Sequence, residues 1–141
     1  MILADINVLI YAFRADAEDH TRYKGWLESV VNGPSAYGIC PQVLASLVRI
    51  CTHPRIFGRP SKIEDAFEFS RVLLSQPNAT VIAPAERHWS IFESLCQRSR
   101  ATGNLAQDAW FAALAIESGC EWITTDRDYA RFEELNWRAP F

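Results

Sequence analysis

Apolar residues run along the chain in two alternating rhythms, and together these predict strands separated by helices: short unbroken runs, and longer stretches with apolar positions three to four apart. Met1 to Ile6 is the first short run and reads as a buried strand, followed after Asn7 by a helical turn, VLIYAF. Asp16 to Val31 carries Ala17, His20, Tyr23, Lys24, Leu27 and Val30 or Val31 at helical spacing, and Asn32-Gly33-Pro34 stops it. SAYGIC is a second strand. PQVLASLVRICTH is a helix with Val43, Leu47, Ile50 and Cys51 on one face, ended by His53-Pro54. A further helix, SKIEDAFEFSRVLLSQ, opens after Pro60 with Ser61 as expected N-cap and Glu64 three residues on, the capping-box spacing.

The second half repeats the alternation. ATVIA reads as a strand and PAERHWSIFESLCQRSR as a helix with Trp89, Phe92 and Leu95 or Cys96 inward. NLAQDAWFAALAIESG is a helix with Asn104 as expected N-cap and Gly119 as left-handed terminator. EWITT is a fourth strand, DYARFEEL a short helix, and NWRAP a last edge strand. Strands and helices in alternation, with no hairpin signal, predict an α/β fold with a mainly parallel sheet covered on both faces. The 141 residues suit one domain, 1–141, with one core.

Asp5 interrupts an otherwise oily opening, and a carboxylate in an apolar setting needs a partner. It begins no long helix that requires it as a cap, so either a basic side chain reaches it or it binds a cation at the mouth of a cleft. In open parallel sheets, ligands sit outside the carboxyl ends of the strands. Asp5 ends the first strand, Asp126 ends the EWITT strand, and Asp108 lies one turn inside a helix whose N-terminus faces the same edge. The small Ala112 and Ala115 on that helix let it lie close against the sheet. Converging carboxylates raise one another's pKa unless a cation neutralises them, and all-oxygen ligands select Mg2+ or Mn2+ over zinc or copper. The plainer reading makes each Asp a cap or turn residue, and it is strongest for Asp126 and Asp128. Asn7 is the expected hydrogen-bond partner of Asp5, and Thr124 or Thr125 of Asp126.

Charge sharpens this picture. The net charge is -3, yet Ser29 to Ile63 contains no acid and holds Arg49, Arg55, Arg59 and Lys62, so that segment carries +4 and the remainder -7. A solvated surface explains it, or a positive rim for a polyanion such as an RNA backbone, placed beside the acidic cleft. A metal held by carboxylates with water in its open positions suits phosphodiester hydrolysis. Composition is ordinary for a globular chain, at 49% hydrophobic and 22% charged. Cys40, Cys51, Cys96 and Cys120 form no C-x-x-C pair, which favours reduced thiols over disulfides or zinc. Without a membrane-length apolar run or a signal-peptide pattern, the expected location is the cytoplasm.

ADINVLIYAF, LVRICTHPRIF, TGNLAQDAWFAALAIESG and TTDRDYARFEELNW, in this order and nearly end to end, resemble the successive motifs of PIN-domain ribonucleases, closely those of the VapC-type toxins of bacterial toxin-antitoxin pairs. The resemblance implies a PIN-like three-layer α/β/α sandwich with a central sheet of four or five parallel strands. It implies metal-binding roles for Asp5, Asp108 and Asp126, with Asp128 as auxiliary acid, and RNA cleavage, a homodimer and a small VapB-type antitoxin that occludes the cleft. One position departs: the family places a Glu in the helix after the second strand, where this chain has Ser46. Ser46 and Gln42, one turn apart, are able to hold a metal-bound water but supply no charge. The alternative is therefore a catalytically weak PIN-fold module that binds RNA or protein. A phosphotransfer receiver would need a lysine after a late strand, and neither Lys24 nor Lys62 follows one.

Overall fold

Five short strands form one sheet in the order β3-β2-β1-β4-β5, every pair parallel. The structure is a computed structural model describing residues 1–141. In chain order the elements are β1 (Ile2–Ala4), α1 (Ile6–Phe13), α2 (His20–Val31), β2 (Tyr37–Ile39), α3 (Pro41–Cys51), α4 (Ile63–Ser75), β3 (Ala79–Val81), α5 (His88–Ser99), α6 (Asn104–Ser118), β4 (Glu121–Ile123), a 3-10 turn (Arg127–Arg131) and β5 (Trp137–Arg138). The chain steps from β1 outward to β2 and β3, then returns across the sheet to β4. Because parallel crossovers are right-handed, the outward steps place α1 to α4 on one face and the return places α5 and α6 on the other. Packing agrees, with α1 against α2 and α3, α3 against α4, and α5 against α6.

The core is apolar on both faces of the sheet. Alanines on α6 (Ala109, Ala112, Ala113, Ala115) are fully buried and let that helix lie against the strands, as the small residues in its sequence predict. Trp122 of β4 is buried between Phe111 and Tyr129, stacked on Phe111 with centroids 5.8 Å apart. Gly38 of β2 has no alternative: a Cβ there would stand 2.9 Å from the Ile82 side chain and 3.2 Å from the Ile2 carbonyl.

Element ends differ from the sequence reading for local reasons. The helix expected from Asp16 starts only at His20, because Asp16 is drawn into an ion pair with Arg14 and the chain turns through a left-handed Asp19. Ser61 does not cap α4. Its hydroxyl accepts from Arg14 Nη1 at 2.9 Å, and the helix begins at Ile63 with Glu64 and Asp65 in its first turn, where acids favour the dipole. Asn104 lies inside α6, and Gly103, at φ 57°, makes the entry that a side-chain cap was expected to make. Gly119 does end α6 in the left-handed conformation, at φ 68°. On α5 the buried residues are His88 and Leu95, with Phe92 half-buried beside them, while Trp89 is 67% exposed. DYARFEEL contains only the 3-10 turn, and NWRAP supplies β5. All four cysteines are unpaired.

Candidate active site

The sheet order reverses between β1 and β4, and the crevice at such a reversal is where open α/β sheets bind ligands. Asp5 leaves β1 at this point and Thr124 leaves β4. Asp5 caps α1 after all: its Oδ1 accepts from the Ile6 amide at 2.7 Å. Its Oδ2 accepts from Thr124 Oγ1 at 2.6 Å, and the same threonine oxygen accepts from the Asp126 amide at 3.0 Å. One fully buried hydroxyl therefore ties the first carboxylate to the backbone of the third. Thr125, the other candidate, is exposed, so the bridging role falls to Thr124.

Asp5 is 6% exposed, and burial pushes its pKa up to about 6 against the opposing pull of Thr124 and the Ile6 amide, with Asp108 and Asp126 adding to the rise. Asp108, half-buried in the second turn of α6, is also pushed up to about 6, first by desolvation and then by Asp126 and Asp128, while the Tyr129 hydroxyl beside it pulls the other way. Tyr129 is itself buried, and desolvation together with Asp5, Asp108 and Asp126 holds it in the neutral form. The three carboxylates and this phenol thus share one crevice. Asp126 caps the 3-10 turn by accepting from the Asp128 amide at 2.9 Å, and Asp128 turns outward toward Arg131, with 3.8 Å between Oδ1 and Nε.

Asn7 does not bond to Asp5. Its Oδ1 is buried without any hydrogen-bond partner, an acceptor left open two residues after Asp5. Ser46 is buried on the inner side of α3, and its hydroxyl makes no hydrogen bond within the protein. The donor set suits a hard cation, because every group is an oxygen and each Asp5 oxygen has one lone pair to spare. No three acid, histidine or cysteine side chains close around one point as they stand, so an ion held here would take much of its coordination from water and substrate.

The four cations of the acid-free segment are exposed and enter no ion pair. None is among the charges that shift Asp5 or Asp108. Arg49 is on α3, and the loop carrying Arg55, Arg59 and Lys62 starts where α3 ends, about 16 Å along the helix from the strand end it left. This loop is fastened by a residue the sequence did not single out. Arg14, at the end of α1, is 6% exposed and grips Asp16 with two nitrogens at 2.9 and 2.7 Å, Ser61 Oγ at 2.9 Å and the Arg59 carbonyl at 2.9 Å, with its guanidinium 3.6 Å from the Phe57 ring centroid. Arg14, Thr124 and Tyr129 act through distant partners, 47 and 119 positions away for Ser61 and Asp5, and no local pattern marks such pairs.

A family model described as PIN domain matches residues 2–135. Ribonuclease VapC43 of Mycobacterium tuberculosis is 41% identical over 140 residues, covering 99% of this chain and 95% of that protein. Ribonuclease VapC25 of the same organism is 34% identical, covering 99% of both. Among solved structures, VapBC2 of Rickettsia felis bound to a DNA fragment from its promoter superposes with a TM-score of 0.72 at 19% identity, covering 99% of this chain and 98% of that one. VapC20 of Mycobacterium tuberculosis, described as a Sarcin-Ricin loop cleaving toxin, does so at 0.65 with 17% identity, covering 96% and 99%. At these identities the superpositions speak for the fold.

Proposed function

The chain belongs to the PIN-domain family, and from that membership we propose that it is a metal-dependent endoribonuclease, the toxin of a type II toxin-antitoxin pair. The observation that carries the reading is the buried Asp5, bridged by Thr124 to the end of β4 and crowded by Asp108 and Asp126 at the reversal of strand order. A crevice that presses carboxylates together without a protein cation is arranged to receive one from solution. Asp5, Asp108 and Asp126 are the proposed ligands, with Asp128 as an auxiliary acid and Asn7 Oδ1 as a further acceptor. Mg2+, or Mn2+ in its place, would supply charge to polarise the scissile phosphate and to lower the pKa of an attacking water.

The protein's own groups do the positioning. Thr124 fixes the Asp5 carboxylate, and the Asp5 cap in turn orients the start of α1 and with it Asn7. Asp126 holds the 3-10 turn that presents Asp128 and buries Tyr129. Ser46 is placed to hold a water through its free hydroxyl. Arg49, Arg55, Arg59 and Lys62 are proposed as outlying contacts for the RNA backbone, on a loop that Arg14 keeps in one conformation. We take residues 1–141 as a single PIN domain acting in the cytoplasm as a homodimer, with a small VapB-type antitoxin as its inhibitor. No helix is long and apolar enough to cross a membrane.

One observation favours a second reading, a PIN-fold module that binds RNA or protein and cuts weakly: Ser46 contributes no charge where the family's Glu resembles a further ligand. Incubating purified protein with structured RNA in Mg2+ or Mn2+, with and without chelator, separates the two. Cleavage that stops on chelation supports the ribonuclease, and binding with no cleavage in either ion supports the module. Expression that arrests growth, relieved by co-expressing a short frame from just upstream of the gene, supports the toxin role.

A further inference from the structure

The end of α5 and the 3-10 turn meet at a small notch of about 180 Å3. Its floor is Leu95 and Phe132, both buried, and its walls are Arg98, Ser99, Arg131 and Glu133. The location follows from chain direction. Ser99 ends α5 only a short loop before α6 begins at Asn104, and Asp108 lies in the second turn of α6. Arg131 closes the turn that Asp126 opens, and its Nε stands 3.8 Å from Asp128, one of the charges felt by Asp108. Both side chains therefore come from element ends that lie next to the elements carrying Asp108 and Asp126.

We infer that the Arg98–Arg131 notch is a subsite for a backbone phosphate of single-stranded RNA next to the scissile bond, an inference that rests on the ribonuclease reading. Arg98 and Arg131 line the same recess from two different elements, with Glu133 the one acid in its lining, and guanidinium forks suit the tetrahedral oxygens of a phosphodiester better than they suit a base edge. Ser99 is not the recognising group, because its hydroxyl is committed to the Leu95 carbonyl at 2.7 Å. In the free protein the forks are covered by exchangeable acids: Arg98 Nη1 pairs with Glu134 at 2.8 Å, and both partners are about half exposed. Exposed pairs of this kind contribute little and are replaced readily by a stronger anion.

The test measures binding of a fluorescently labelled oligouridylate in EDTA, where no cleavage occurs, across a range of KCl concentrations. Arg98→Ala and Arg131→Ala should each reduce the magnitude of the log-log salt slope by about 0.7, as loss of one phosphate contact to a single strand does. The double variant should show the sum, and its KM for cleavage should rise several-fold with kcat unchanged. Glu134→Gln, which uncovers Arg98, should tighten binding. Both Arg positions are exposed, so melting temperatures should stay near wild type. A double variant with the wild-type slope overturns the subsite while leaving the ribonuclease reading intact, as does a Glu134→Gln protein that binds no tighter. Wild-type protein that neither binds nor cuts RNA overturns both.

Discussion

Thr124 Oγ1 donates to Asp5 Oδ2 at 2.6 Å across 119 positions of sequence, joining the ends of the two strands between which the sheet reverses direction. A buried carboxylate this close to two others is held ionised chiefly by that donor and the Ile6 amide. Thr124→Val keeps the shape and removes the donor. It should cost about 1–3 kcal/mol at pH 7.5, where Asp5 carries charge, and less at pH 5, where the carboxyl is protonated. Cleavage should fall about 10- to 100-fold, as loss of a group that orients a ligand does, and Thr124→Ser should restore most of it. Urea unfolding at both pH values beside a cleavage assay checks this. Wild-type activity in Thr124→Val would remove Thr124 from the machinery.

The raised carboxyl pKa values give a pH dependence with a definite sign. Asp5 and Asp108 both titrate near 6 in the folded protein against 3.8 unfolded, so the folded state holds protons more tightly. Their contribution to stability is full below about pH 4 and is lost as pH rises through 6. Metal-free protein should accordingly melt several degrees higher at pH 5 than at pH 7.5. Mg2+ or Mn2+ at millimolar concentration should raise the pH 7.5 value and shrink the difference, because the ion replaces the protons. Equal melting curves at pH 5 and 7.5 without metal would contradict the crowding of these acids.

Ser46 is buried on α3, at the position we propose corresponds to the family's Glu. Ser46→Glu should lower the Mn2+ concentration needed for half-maximal cleavage and, without metal, lower the melting temperature, since one more uncompensated acid adds repulsion. The two effects belong together. A variant that gains no metal affinity and melts alike with and without Mn2+ would place residue 46 away from the metal.

How much of this was legible beforehand depends on the range of the signal. Alternating apolar runs marked all five strands and the parallel sheet, and strand direction alone brought Asp5, Asp108 and Asp126 to one edge. Signals that name a local partner fared worse. Ser61 and Asn104 look like caps, yet Arg14 claims the first and Gly103 makes the turn for the second. Asn7 looks like the partner of Asp5, but Asp5 uses its own helix amide and a threonine from the far end of the chain. A side chain's choice among partners is settled by the assembled sheet, where the short list of neighbours first exists. The charge of the acid-free segment was plain in the sequence but its place was not, because the length of α3 separates the loop from the strand end that the helix leaves. Arg98 on α5 and Arg131 on the 3-10 turn, far apart in sequence, are brought to one recess by the fold, each paired with an acid of the segment after β4.

The central claim is that these aspartates form a metal site whose purpose is cutting RNA, and Asp108→Asn tests it most directly. Cleavage of RNA and Mn2+ binding by titration calorimetry should be measured on wild type and variant side by side, with melting temperature as the check on folding. The prediction is that wild type binds Mn2+ and cuts RNA, and that the variant does neither while melting no lower than wild type in EDTA at pH 7.5, because a repelling charge has gone. A folded Asp108→Asn protein that still cuts RNA at the wild-type rate would contradict the account.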